Sequence, residues 1–211
     1  ETDLIPRFFD VTKGKVMVDG TDIREMSQES LREAIGYVPQ KGVLFSGTIA
    51  SNLRYGKEDA TKEQVMDAAC IAQAKEIIDG KKDGLDSAIA QGGSNVSGGQ
   101  KQRFSIARAI VKDPKIYIFD DSFSALDYKT DAILRRELSK KTKEAAVIIV
   151  AQRISTILHA EQIIVLNEGK VAGIGTHQEL FDHCAVYREI AESQLSEADI
   201  AKLKAQGKEV M

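Results

Sequence analysis

The chain has 211 residues, 43 % of them hydrophobic and 29 % charged, the balance of a soluble globular protein long enough to bury a sizeable core. Its 29 basic against 32 acidic residues give a formal net charge of −3, which offers no domain-wide basic field and so disfavours a general nucleic-acid binder. The longest wholly apolar run, Ala145 to Ala151, is far shorter than the roughly 20 residues of a membrane-spanning helix.

In chain order, the opening ETDLIPRFFD lacks the basic start and long apolar stretch of a secretory signal. Lys15 to Gly20 reads as β structure with a glycine turn. Ile35-Gly-Tyr-Val-Pro39 is an apolar run that ends at Gln40. Beyond it, 41–96 holds no convincing strand and reads as a mostly helical insertion. Within it, Thr61-Lys-Glu-Gln64 has capping-box spacing, and the helix it opens is expected to run to Gly80 as its C′ residue. A further helix is expected over 100–112, with Phe104, Ala107 and Val111 on one face and Asp113-Pro114 as its stop. Ile116-Tyr-Ile-Phe119 ends at Asp120-Asp121, and Val147-Ile-Ile-Val-Ala151 ends at Gln152. β structure returns over Gln162 to Gly175, two short helices follow Thr176, and the polar segment from Glu197 on is expected to fray. Cys70 and Cys184 show no metal-like spacing and read as two reduced thiols of a cytoplasmic protein. His159, His177 and His183 lack ligand spacing and read as ordinary polar or packed residues.

Three runs rich in Ile and Val without alternation suit strands buried on both faces of a parallel sheet. Each ends in a polar side chain, and open parallel sheets bind ligands beyond the carboxyl ends of their strands. Gln40, Asp120, Asp121 and Gln152 therefore point to one shared site. A second stretch, Val96-Ser97-Gly98-Gly99-Gln100, directly precedes a helix. Adjacent glycines let a backbone approach a ligand closely, the helix N-terminus presents free N–H groups to an anion, and Ser97 adds a hydroxyl donor. Four apolar residues and two acids at Ile116 to Asp121 form the pattern that holds Mg²⁺ beside a phosphate and sets a second carboxylate near a water.

Taken together these stretches resemble, in order, the motifs of ABC transporter nucleotide-binding domains of the exporter type. Ser97-Gly98-Gly99-Gln100 resembles the signature, Ile116 to Asp120 the Walker B strand, Ser124-Ala-Leu-Asp127 the D-loop, and Tyr37-Val-Pro-Gln40 the Q-loop. Leu44 to Asn52 and Gly173 to Leu180 also fit, so the likeness covers nearly the whole chain. It implies an α/β fold: a P-loop-NTPase-like parallel sheet core with an inserted helical subdomain at about 41–112, lacking the N-terminal strands and P-loop. The whole of 1–211 would be one such domain, with C-terminal helices over 176–211. The resemblance implies ATP and Mg²⁺ as ligands, with Asp120 and Gln40 at the metal. Gln40, Ser97, Gly98, Gly99, Gln100 and Asp127 would face nucleotide, and Asp121 and Gln152 would hold the catalytic positions. The implied partners are a second nucleotide-binding domain, whose ATP this signature would close, and the transmembrane domain of an exporter at the cytoplasmic face of the membrane. DNA-maintenance relatives share the signature but carry long coiled coils between Q-loop and signature. The interval from Gln40 to Ser97 is short and has no heptads.

Three departures from the family pattern carry their own expectations. Gly-x-x-x-x-Gly-Lys-[Ser/Thr], whose amides and Lys cradle phosphates, is absent, because none of the Gly-Lys pairs in the sequence has that spacing. Leu4 to Asp10 resembles the family segment just after the P-loop helix begins. The chain is therefore expected to start inside the domain, without the phosphate-binding Lys and with an unpaired sheet edge where the P-loop strand lies in the family. Asp121 stands where competent members carry Glu, one methylene short of the attacking water. Gln152 stands where the family has a switch His, and an amide cannot become a cation. The last two together resemble the degenerate half of a heterodimeric exporter. The chain alone is expected to bind ATP weakly and not to hydrolyse it, and a non-catalytic regulatory module is the rival reading.

Overall fold

The computed structural model describes residues 2–196, so the polar segment expected to fray lies outside the described residues. Asp19 and Gly20 both take left-handed φ, +47° and +77°, and turn β1 (Met17–Val18) straight back as β2 (Thr21–Asp22). Ser27 caps α1 (Gln28–Glu33) by accepting from the Ser30 N–H. Then follow β3 (Ile35–Val38), β4 (Gly47–Thr48), α2 (Ile49–Leu53), α3 (Lys62–Ile71), α4 (Lys75–Asp79) and β5 (Ala88–Ile89). The first of two compact units closes with α5 (Gly98–Lys112), β6 (Ile116–Asp120), α6 (Tyr128–Lys141) and β7 (Ala146–Val150).

β3, β6 and β7 form a parallel sheet in that order, with Tyr37 opposite Ile118 and Phe119 opposite Ile149. Side chains alternate across it, so the two faces feed separate cores. Val38, Tyr117 and Phe119 join Phe104, Ile106 and Leu134 on one face, while Ile35 and Ile118 meet Ile23 and Leu31 on the other. The centre of β6 is buried, as expected of a strand with neighbours on both sides. β7 corrects the expectation of two buried faces, because Val147 and Val150 stay 38 % and 39 % exposed. An apolar run marks a strand, but burial depends on what packs over its faces, and β3 is buried although it too has a single neighbour in the sheet. Among the described residues β7 pairs only with β6.

The capping box at Thr61 and Gln64 forms, yet its helix does not reach Gly80. Gln73 takes φ +57°, the Ala74 N–H closes back onto the Ala69 carbonyl at 2.7 Å, and α4 begins afresh. The small side chains of Ala72 and Ala74 bury completely at this break, and Arg103 donates to the Gln73 carbonyl at 2.9 Å. Gly80 ends α4 with right-handed φ −75°, so it is no left-handed C′ residue. The stretch read as helical also contains a short antiparallel ladder, Gly47 opposite Ile89 and Thr48 opposite Ala88. The left-handed stop of α5 falls on Asp113, φ +52°, directly before Pro114.

The second unit starts at Ala151 and holds α7 (Ile154–Ile157), the hairpin β8 (Ile163–Asn167) and β9 (Lys170–Gly175), α8 (His177–His183) and α9 (Ala185–Gln194). Thr176 and Glu179 make a capping box for α8. Ile163, Val165, Leu180, Phe181 and Tyr187 form its core, where His177 Nδ1 lies 2.8 Å from the Tyr187 hydroxyl. Burial holds the His177 imidazole below its usual range. Cys70 and Cys184 are both free thiols. No helix among the described residues is long and apolar enough to cross a membrane.

Candidate functional site

β6 leaves the sheet at Asp120, and Asp121 turns the chain with left-handed φ +44°. Both neighbouring strands hold this turn. The Asp121 N–H donates to the Val150 carbonyl at 3.0 Å, and the buried Ser122 hydroxyl donates to the Val38 carbonyl at 2.8 Å. β3 also reaches both acids: the Tyr37 hydroxyl donates to Asp120 Oδ2 at 3.0 Å, and Gln40 Nε2 donates to Asp121 Oδ2 at 3.1 Å. Burial first, then the Asp120 carboxylate, pushes the Tyr37 phenol up to about 12, so it stays a donor. The sequence names Tyr37 only as part of the Q-loop stretch and gives it no role at the site, although strand alternation sets it on the face of Ile118 and Asp120.

The signature forms a second, self-contained structure. Ser97 is the N-cap of α5: its Oγ accepts from the Gln100 N–H at 3.3 Å, while Gln100 Oε1 accepts from the Ser97 N–H at 3.2 Å. The Ser97 oxygen thus serves the helix, and its O–H proton is what it can offer outward. A Cβ at Gly98 would meet nothing within 4 Å, whereas one at Gly99 would sit 3.5 Å from the Ala125 carbonyl. The signature therefore lies beside the D-loop turn. Asp127 ends that turn as the N-cap of α6, accepting from the Thr130 N–H at 3.0 Å and the Thr130 hydroxyl at 2.7 Å. Those bonds, the backbone one first, hold its carboxyl below the usual range.

One close contact joins the two structures. A Cβ at Gly42 would lie 2.7 Å from the Lys101 carbonyl carbon and oxygen, and Gln102 Nε2 donates to the Pro39 carbonyl at 3.0 Å. The loop after Gln40 rests on the first turns of α5. The first unit thus brings Gln40 to Asp121, sets Asp120 beside it, and places Ser97 to Gln100 beside the turn that ends in Asp127. Gln152 belongs to the second unit, where its carbonyl accepts from Gln194 Nε2 at 2.7 Å.

A cavity of about 280 Å³ in the first unit is walled by Phe8, Tyr37, Phe45, Tyr55 and Arg108. Phe45 and Tyr55 stack at 4.7 Å yet remain exposed, and the Arg108 guanidinium lies over both rings. Asn52 fixes that guanidinium by accepting at its carbonyl and its Oδ1, at 2.9 and 3.0 Å. Sequence reasoning matched Leu44 to Asn52 to a family pattern without seeing this surface.

The oxygens of Asp120, Asp121 and Gln40 are hard donors suited to Mg²⁺, which is held by one or two carboxylates together with phosphate and water. No group of three or more His, Cys, Asp or Glu among the described residues could hold a metal alone. These side chains therefore fit one part of a metal–nucleotide shell. The capped N-terminus of α5, open at Gly98, suits phosphate oxygens. The Gly-rich, Lys-bearing cradle for the same nucleotide is not in this sequence.

A family model described as ABC transporter matches residues 2–124. An uncharacterised ABC transporter ATP-binding protein of Mycobacterium bovis is 48 % identical over 200 residues, covering 93 % of this chain and 34 % of that protein. A putative multidrug export ATP-binding/permease protein of Bacillus subtilis is 43 % identical, covering 89 % and 32 %. The mitochondrial iron-sulfur clusters transporter of Aspergillus fumigatus is also 43 % identical, covering 90 % and 26 %. The solved structure of a bacterial Atm1-family ABC exporter with ATP bound superposes with a TM-score of 0.89 at 37 % identity, covering 93 % of this chain and 35 % of that one. The chain spans about a third of the length of the curated relatives it matches.

Proposed function

This chain belongs to the ABC transporter family, as an ATP-binding domain of the exporter type, and from that premise we propose that it drives export as the degenerate-site half of a heterodimer. In this reading a second ABC domain holds the ATP that is hydrolysed, and this chain's signature closes that site. Ser97 and the free N–H groups of α5 aim donors at the charge that develops on the terminal phosphate. Where a Gly-rich, Lys-bearing cradle completes it, the site built on this chain's own acids would retain nucleotide and turn it over slowly. Asp120 and Gln40 would hold Mg²⁺ there, and the metal would neutralise phosphate charge. Asp121, short and engaged by Gln40, makes a poor general base, and Gln152 supplies no titratable proton.

The observation that carries this reading is the contrast within one unit: a preformed, open signature end beside an acid pair whose second carboxylate is short and already hydrogen-bonded. The exposed Phe45–Tyr55 stack beside its cavity offers an apolar foothold for the membrane domain, which would hold the chain at the cytoplasmic face. The test is turnover of the assembled heterodimer. Gly98→Trp points into open space, so it should leave folding intact and remove most ATPase activity, while Asp121→Asn should cost far less. Equal losses would mean that this subunit is catalytic in its own right.

A further inference from the structure

Asp120 ends a strand, where a carboxylate can rotate about two side-chain torsions. What fixes it comes from the neighbouring strand. Tyr37 pairs with Ile118 in the parallel register, and Asp120 is the next residue on that face, so the phenol reaches diagonally across the ladder to Oδ2 at 3.0 Å. The hydroxyl has a second acceptor, Asp3 Oδ1 at 3.4 Å, but one proton to give, and the nearer carboxylate is Asp120. The ring itself is held in place: Phe8 packs edge-on against it at 5.6 Å. Among the described residues, Tyr37 is the side chain that bonds the Asp120 carboxylate, and Oδ1 is left to other ligands.

We propose that Tyr37 is a positioning residue for Asp120: its hydroxyl pins Oδ2 and so presents Oδ1 to a divalent cation. The inference rests on reading Asp120 as a metal-holding residue. Partners that orient a metal ligand in this way are worth about 10- to 100-fold in metal affinity. Gln40 does not substitute, because its amide is committed to Asp121.

The test is Mn²⁺ titration in the presence of a saturating non-hydrolysable ATP analogue, with electron paramagnetic resonance reading the free ion against a protein-free control, on the polypeptide that carries this chain. Tyr37→Phe keeps the ring and its contact with Phe8 while deleting the donor. It should weaken Mn²⁺ binding about 10-fold, and Asp120→Asn should weaken it at least as much. A merely structural Tyr37 would lower the urea midpoint and leave the Mn²⁺ affinity of the folded protein unchanged, which would overturn the proposal. Tighter binding in Tyr37→Phe would overturn it too, because the phenol would then be a competitor of the metal. If Tyr37→Phe is silent while Asp120→Asn weakens binding, the positioning role alone falls. If Asp120→Asn is silent, the metal assignment falls and the inference with it.

Discussion

At Ser97 the bonds that shape the signature reach Gln100, three positions along the chain. At Asp120 to Ser122 the bonds that shape the acid turn reach back across 81 to 84 positions, to Gln40, Tyr37 and Val38, and forward to Val150 on β7. One structure is encoded within a tetrapeptide and would form on any helix start. The other exists only once β3 and β6 have paired. The difference predicts that damage to the signature stays local, while damage to the acid turn spreads to its neighbours.

Gly42 lies where the two structures touch, and it should show the largest effect. A methyl group there meets the backbone of α5 at 2.7 Å, and backbone cannot rotate away as a side chain can. Gly42→Ala should destabilise by about 1–3 kcal/mol or more, read from the urea midpoint. It should also weaken the Gln102–Pro39 bond, so hydrogen exchange should rise both in the Gln40 loop and in the first turns of α5. An effect confined to the loop would break the idea that the two move as one.

Ser122→Ala comes next. Its hydroxyl is fully buried and ties the acid turn to β3, so its loss should cost about 1–3 kcal/mol. Ser97→Ala removes a helix cap on the surface and should cost about 1 kcal/mol. In the native protein, the Ser97 change should raise amide exchange only near Gln100, whereas the Ser122 change should raise it in β3 as well. The same pattern in both variants would remove the distinction between local and distant construction.

The smallest effect is a pH dependence at Asp127, beside the signature. Its carboxyl sits below the usual range because Thr130 donates to the charged form. That stabilisation is complete above the unfolded value near 4 and is lost as pH falls through the lower folded value. Asp127→Asn keeps a capable N-cap and should melt close to the parent at pH 7. Its melting temperature should then fall less steeply on acidification, and an unchanged slope would show that Asp127 contributes nothing to acid sensitivity.

The same distinction decides what could be read from sequence. Capping boxes at Thr61, Ser97 and Thr176 each span four consecutive residues, and the one expected from its spacing, at Thr61, is present. The parallel sheet was legible from three apolar runs that end in polar residues. The break at Gln73 was not, because what stabilises it, Arg103, lies thirty positions away on another helix. Exposure of β7 escaped notice because composition reports what a strand prefers, not what packs over its faces. Tyr37 was hidden for a related reason: it was read as part of a motif, while its partner sits 83 positions further on.

The pairing of β3 with β6 also sets an order of events as the chain folds. Closing a long loop costs entropy that grows slowly with its length, but the contact must be searched for, and non-local parallel pairing is slow compared with helix formation. Ser97, Gly98 and the helix behind them become complete within the time a helix takes to grow. The acid pair becomes a site only when a strand from before the whole α2–α5 segment finds its partner. For a time, then, a newly made chain carries a finished helix start at Ser97 before the acids of β6 have been brought to Gln40 and Tyr37.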